Sequence, residues 1–204
     1  MSAPEEVRIV PPEGLPRVPP GQRVAEDWPV LHHRGTAPSA WPARWTLRLD
    51  GLVEQPTVLS LEALQGLPHL DVVADVHCVT GWSLLGRRWR GVALRDLEDL
   101  VRPRPEARFL MAHALGGWTT DLALADGRRP GVAVVWAIDG APLPREHGGP
   151  LRLLVPHLYF WKSCKWLVRL EWMAEDRPGF WERDTPYRDL DPWHAVRPPA
   201  GAGP

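Results

Sequence analysis

The sequence predicts an α+β fold, with mixed sheets or a distorted barrel and a few short helices. Three observations carry this. Short apolar runs bounded by Gly, Pro or Asp recur through the second half. Helical periodicity is confined to two brief stretches. And 24 prolines in 204 residues demand much rigid, irregular backbone.

Each element has its own local reason. Residues 1–27 are proline-rich with little apolar periodicity, so they read as an arm lying on the body or disordered. Residues 28–194 form the body, and 195–204 a loose tail. The stretch 45–51 alternates and ends in Asp50-Gly51, a strand running into a turn. Ser60 is placed to cap a short helix carrying Leu61 and Leu64, stopped near Gly66 and Pro68. Residues 72–79 read as a strand leading to Cys78. Val92, Leu94, Leu97, Leu100 and Val101 recur at near-helical spacing and predict a helix over 93–101, ended by Pro103 and Pro105. Strands follow at 109–114, 118–122, 132–138, 151–155 and 167–173, the last alternating Val168, Leu170 and Trp172 against Arg169 and Glu171. No internal repeat is visible.

Composition narrows the function classes. The net charge of −1, from 24 basic and 25 acidic residues, argues against a nucleic-acid partner or an anionic membrane surface. No apolar stretch approaches the roughly 20 residues of a bilayer span. The start is polar, without a basic-then-apolar leader or a twin arginine, which predicts a cytoplasmic protein. Two cysteines fit a reducing compartment and build no disulfide framework. The 12 tryptophans suit a core, with some left over for a pocket. Among 24 basic residues only Lys162 and Lys165 are lysines, and they share one short segment. That hints at a local need for an ammonium, a compact point charge with three rotatable donors.

Familiar catalytic patterns are absent. There is no His-Glu-x-x-His, Cys-x-x-Cys, Gly-x-Ser-x-Gly, Walker loop or Gly-x-Gly-x-x-Gly. The spacing of Cys78, Cys164 and the eight histidines does not support a zinc site. His77 is a poor activator of Cys78, because strand neighbours point to opposite faces. What stands out is Cys78 itself, at a strand end in Asp75-Val76-His77-Cys78-Val79-Thr80-Gly81-Trp82-Ser83, able to present a thiolate outward or to sit as a small buried hydrophobe.

This segment, together with residues 148–166 (Gly-Gly-Pro-Leu-Arg-Leu-Leu-Val-Pro-His-Leu-Tyr-Phe-Trp-Lys-Ser-Cys-Lys-Trp), resembles the sulfite oxidase family of molybdopterin-dependent oxidoreductases. The resemblance spans about residues 17–194 and is nearest to short bacterial members made of little more than the cofactor domain. It implies that family's fold and a molybdenum–molybdopterin cofactor. It also implies two-electron oxygen-atom transfer on a small oxyanion, S-oxide or N-oxide. By the same match, Cys78 ligates molybdenum. His33, His113, His147, Arg152, Ser163, Cys164 and Lys165 fall on pterin-holding positions. Tyr187 matches an active-site tyrosine beside the metal, with its spacing from Trp181 one residue longer than the family pattern. A buried phosphate needs charge-assisted donors and backbone N–H groups, which suits Arg152, Ser163 and Lys165.

Two departures bear on substrate. Sulfite oxidases proper carry an arginine just before the early histidine, where this chain has Leu31 or His32. Short relatives often carry one three residues after the cysteine, where this chain has Gly81. Arg87, Arg88 or Arg90 are candidates to replace that charge. With no haem motif, the chain is expected to draw electrons from a separate flavin or haem protein. The alternatives are a molybdopterin-binding carrier or degenerate relative without turnover, and a metal-free interaction module.

Overall fold

A computed structural model describes residues 5–32, 37–183 and 191–194. Their strands are β1 (Glu5–Arg8), β2 (Arg23–Val24), β3 (Thr46–Gly51), β4 (Thr57–Ser60), β5 (Leu70–His77), β6 (Trp82–Ala93), β7 (Phe109–Ala114), β8 (Thr119–Ala123), β9 (Ala133–Ile138), β10 (Ala141–Pro142), β11 (Arg152–Leu154) and β12 (Leu167–Met173). Three short helices intervene: α1 (Leu61–Gln65), α2 (Leu94–Val101) and α3 (Leu124–Gly127).

The strands form two open mixed sheets, so of the two expected forms it is mixed sheets, not a barrel. One has seven strands in the order β1-β5-β6-β9-β10, with β11 also on β9 and β2 also on β6. The other runs β4-β3-β12-β7-β8. Parallel pairs are β1 with β5, β2 with β6 and β3 with β12. Alternation lets the larger sheet bury both faces. On β9, Val134 joins a large core with Leu49, Leu97, Leu110 and Trp172, whereas Ala133 and Val135 join a smaller one with Val72, Leu84 and Trp89.

Ser60 caps α1 as expected, its Oγ accepting from Ala63 N at 3.1 Å. The proline-rich arm lies on the body. β1 adds a parallel edge strand, and Arg17 grips Asp75 through Nε (2.7 Å) and Nη2 (2.8 Å). The twelve residues of β6 are the main element the sequence reading left unassigned. Its middle carries Arg87, Arg88 and Arg90, which break the apolar signal. In the structure they alternate across the strand and pair with Asp139, with Glu6 and Asp71, and with Asp71. They are therefore spent on the sheet surface and supply no charge to the cavity described next.

Candidate active site

β5 delivers Cys78 one residue past its end. A tight turn holds it: Cys78 N donates to Trp82 O (2.8 Å) and Gly81 N to Cys78 O (2.9 Å). Gly81 sits at φ +98°, a left-handed conformation that favours glycine at this turn. From the arm, Gln22 Nε2 donates to the same Cys78 carbonyl at 3.0 Å. The Cys78 side chain is 8% exposed, and its Sγ lies 3.2 Å from Thr80 Oγ1. Cys78 faces a cavity of about 340 Å³. His77 faces a different one, of about 300 Å³, on the other side. The strand alternation expected of these neighbours is thus realised.

Three further segments complete the front cavity. The turn Arg145–His147 brings His147, whose ring stacks on Trp28 at 3.8 Å and 5°. Burial, the largest influence, drops His147 to about 4, so it is a neutral imidazole. β11 opens on Arg152, only 2% exposed. Its Nη1 donates to His147 O and its Nη2 to Ser163 O, both at 2.7 Å, and the guanidinium lies 4.1 Å over Phe160. Arg152 Nε is buried with no partner among the described residues. Burial pulls even this guanidinium down to about 9. The third segment follows Phe160–Lys162. Ser163 Oγ accepts from Val155 N at 2.9 Å, and Lys165 reaches across to the arm. Lys165 Nζ donates to Leu31 O (2.6 Å) and Glu146 O (3.2 Å) and lies 2.8 Å from His32 Nδ1. Burial first, then Arg152, lower it to about 7. Gly148, at φ +103°, makes this approach possible, since a Cβ there would stand 2.8 Å from the Lys165 side chain.

Of the residues read from sequence, Cys78, His147, Arg152, Ser163 and Lys165 line one cavity. Two do not. Ala114 lines the cavity, so its strand neighbour His113 points away, and its Nε2 meets Glu171 Oε2 at 2.9 Å. Cys164 is fully buried between Ser163 and Lys165, and burial pushes its thiol well above the usual range. His33 and Tyr187 lie outside the described residues. The sequence reading missed His32, Thr80 and Gln22. It also left open that half of the tryptophans, Trp28, Trp82, Trp118, Trp161, Trp166 and Trp181, line this cavity. Only their number hinted at it.

The donor set fits a phosphorylated aromatic group carrying a soft-ligated metal. Two cations, the buried Arg152 and the half-buried Lys165, have no carboxylate within ion-pair distance among the described residues. Arg152 Nε and Trp82 Nε1 are buried donors without a described partner. Each unmet buried donor costs free energy that an anion would recover.

Comparison with known proteins agrees. The family described as oxidoreductase molybdopterin binding domain matches residues 34–181. The chain belongs to this family. It is an oxidoreductase with a molybdopterin cofactor site. The family relatives include the uncharacterized oxidoreductase YuiH of Bacillus subtilis (strain 168), 42% identical over 89% of this chain and 91% of its own. The protein-methionine-sulfoxide reductase catalytic subunit MsrP of Ralstonia nicotianae is 27% identical over 71% of this chain. The chain spans about half the length of that relative, 48%. Among solved structures, the sulfane dehydrogenase SoxCD of Paracoccus pantotrophus matches with a TM-score of 0.59 and 24% identity, over 64% of this chain and 38% of its own, which shows the fold. No helix among the described residues is long and apolar enough to cross a membrane, which says nothing of β-barrels.

Proposed function

We propose that this oxidoreductase holds molybdenum–molybdopterin in the front cavity and reduces a neutral S-oxide. The balance is R₂S=O + 2e⁻ + 2H⁺ → R₂S + H₂O. One observation carries the choice of substrate. The cavity's charged side chains, Arg152 and Lys165, are committed in this reading to the cofactor's phosphate, and the rest of the lining is dominated by tryptophan. The arginines that might have served an oxyanion are paired on β6. Such a lining favours an apolar, uncharged oxide over sulfite. The relatives named methionine-sulfoxide reductases point the same way.

When bound, the cofactor supplies the two-electron oxygen-atom exchange. The chain does the rest. Cys78 is the metal's thiolate ligand, oriented by the Gly81 turn and by Gln22 on its carbonyl. No group of three His, Cys, Asp or Glu among the described residues stands ready to hold an ion, so a metal on Cys78 would take its other ligands from the pterin. Arg152, Lys165 and Ser163 hold the phosphate end, and Trp28 with His147 offers an aromatic platform. The tryptophans exclude water and seat the apolar oxide. Electrons come from a separate flavin or haem protein.

The test is protein purified from a molybdate-supplied host, assayed with S-oxides and reduced viologen, and with sulfite and ferricyanide. About one molybdenum and one pterin per chain, with S-oxide turnover and no sulfite oxidation, is the expected result. Sulfite oxidation without S-oxide reduction would reverse the assignment. A loaded protein silent in both assays would favour the carrier reading.

A further inference from the structure

Lys162 is one of two lysines in the chain, and the cavity is lined by the other. Its side chain is fully buried. Nζ donates to Asp121 O (2.9 Å), Asp121 Oδ1 (3.2 Å) and Glu182 Oε1 (2.9 Å). Thr120 Oγ1 donates to the same Glu182 oxygen at 2.6 Å. Oxygens converging on one point suit an ammonium and not a planar fork, which accounts for lysine in an arginine-rich chain.

Burial and hydrogen bonding set the cluster's two carboxyls apart. Burial raises the Glu182 carboxyl, and its bond to Asp121 adds to the rise against the pull of Lys162 and Thr120. Burial works upward on Asp121 as well, but Glu182, Lys162 and a hydrogen bond with Asp176 outweigh it, and Asp121 falls below its usual value. Glu182 sits in a notch that only a glycine leaves open. A Cβ on Gly179 would stand 2.6 Å from both Glu182 Oε2 and Thr120 Cα. The turn carrying Phe180–Glu182 is thus pressed onto β8.

Two cavity tryptophans hang on this cluster. Trp161 precedes Lys162, whose Nζ lies 5.0 Å from its ring centroid. Trp181 precedes Glu182 and meets Phe180 edge-on at 4.9 Å. Both tryptophans line the cavity, while Asp121, Lys162 and Glu182 do not. We propose that the Asp121–Lys162–Glu182 cluster is a positioning device for the substrate wall. It holds Trp161 and Trp181 so that the site prefers bulky apolar S-oxides to small ones. This rests on the S-oxide reading above.

The experiment compares methyl phenyl sulfoxide with dimethyl sulfoxide in molybdenum-loaded protein, with reduced viologen as donor. Lys162→Met should cut the kcat/KM preference for the aryl substrate about tenfold, through KM and not kcat. Trp181→Ala should cut it by a similar factor, and the double variant no further, because the lysine acts through the tryptophan. If Lys162→Met does not fold, Thr120→Val, which deletes one bond to Glu182, should move the preference the same way by about two- to threefold. An unchanged preference in Trp181→Ala, or additive losses in the double variant, overturns the proposal. Trypsin cleavage after Arg183 in the cofactor-free chain gives a readout that needs no turnover. It should quicken in Lys162→Met, and in Thr120→Val if the lysine variant does not fold. Unchanged cleavage in the folded variant sinks the cluster. A wild type that reduces no S-oxide sinks the proposed function instead.

Discussion

The two cavities that flank the end of β5 are similar in size and opposite in electrostatic character. In the back one, near His77, cations are matched by carboxylates. Arg8 pairs with Glu6 at 2.9 Å, Arg129 lies 3.7 Å from Asp126, and nearby Arg17 holds Asp75. In the front one, the buried Arg152 and the half-buried Lys165 rest against backbone carbonyls and an imidazole, with no carboxylate paired to either among the described residues. Volume alone does not separate a ligand site from a surface fold. Uncompensated buried charge does, because the free energy spent on it needs an anion to recover it.

Four tests break or sharpen this contrast. The largest effect is expected from Cys78→Ser. Turnover should fall beyond the roughly 10–100-fold that loss of an outer partner costs, with circular dichroism unchanged and molybdenum content lowered or its spectrum altered. Normal activity would remove Cys78 as the ligand. Next comes a front-versus-back pair. Arg152→Met should lower pterin occupancy about tenfold or more, because a buried phosphate is left under-compensated. Arg129→Met should leave occupancy intact and stability within about 0.5 kcal/mol. Equal occupancy in the two variants would erase the distinction between the cavities.

Gln22→Leu tests a subtler point, since its amide bonds the Cys78 carbonyl and its oxygen accepts from Ser83 Oγ at 3.4 Å. Turnover should drop about tenfold at full molybdenum content, as for other residues that orient a ligand. The smallest effect concerns pH. One histidine in each cavity, His77 and His147, is held by burial at about 4, below the ordinary 6.5. Between those values the unfolded chain binds protons that the folded chain refuses. The histidine contribution to the stability of the cofactor-free chain should therefore be full above pH 6.5. It should fall toward pH 4 by up to about 1.4 kcal/mol per pH unit for each histidine, measured by denaturant titration. His77→Phe should lower the slope without abolishing it, since His113, His147 and His157 are held down by burial as well.

Much of this was legible from residues alone, and the failures have physical causes. Alternation in 167–173 gave β12 to the residue, and Ser60 marked the start of α1 correctly. β6 was hidden because its arginines pair with acids far away in sequence, Glu6 and Asp139, which no local pattern reveals. The resemblance grouped Cys78, His147, Arg152, Ser163 and Lys165, and the fold brings them to one cavity. It misplaced His113 because matching a position does not fix which face of a strand that position takes. It also joined Lys162 and Lys165 in one hint, although the ammonium of the first serves a buried cluster and that of the second a cavity wall.

The parallel pairing of the arm has a kinetic consequence. One wall of the cavity is Trp28 to His32, and it is fastened by Lys165, 134 residues downstream of the Leu31 carbonyl it holds. Contacts of such sequence separation form late and slowly. The cavity therefore does not exist on a partly synthesised chain. A chain that has not yet reached Lys165 has nothing to fasten that wall. A fragment trimmed to the family match at residue 34 would fold, if at all, with its binding site open on one side.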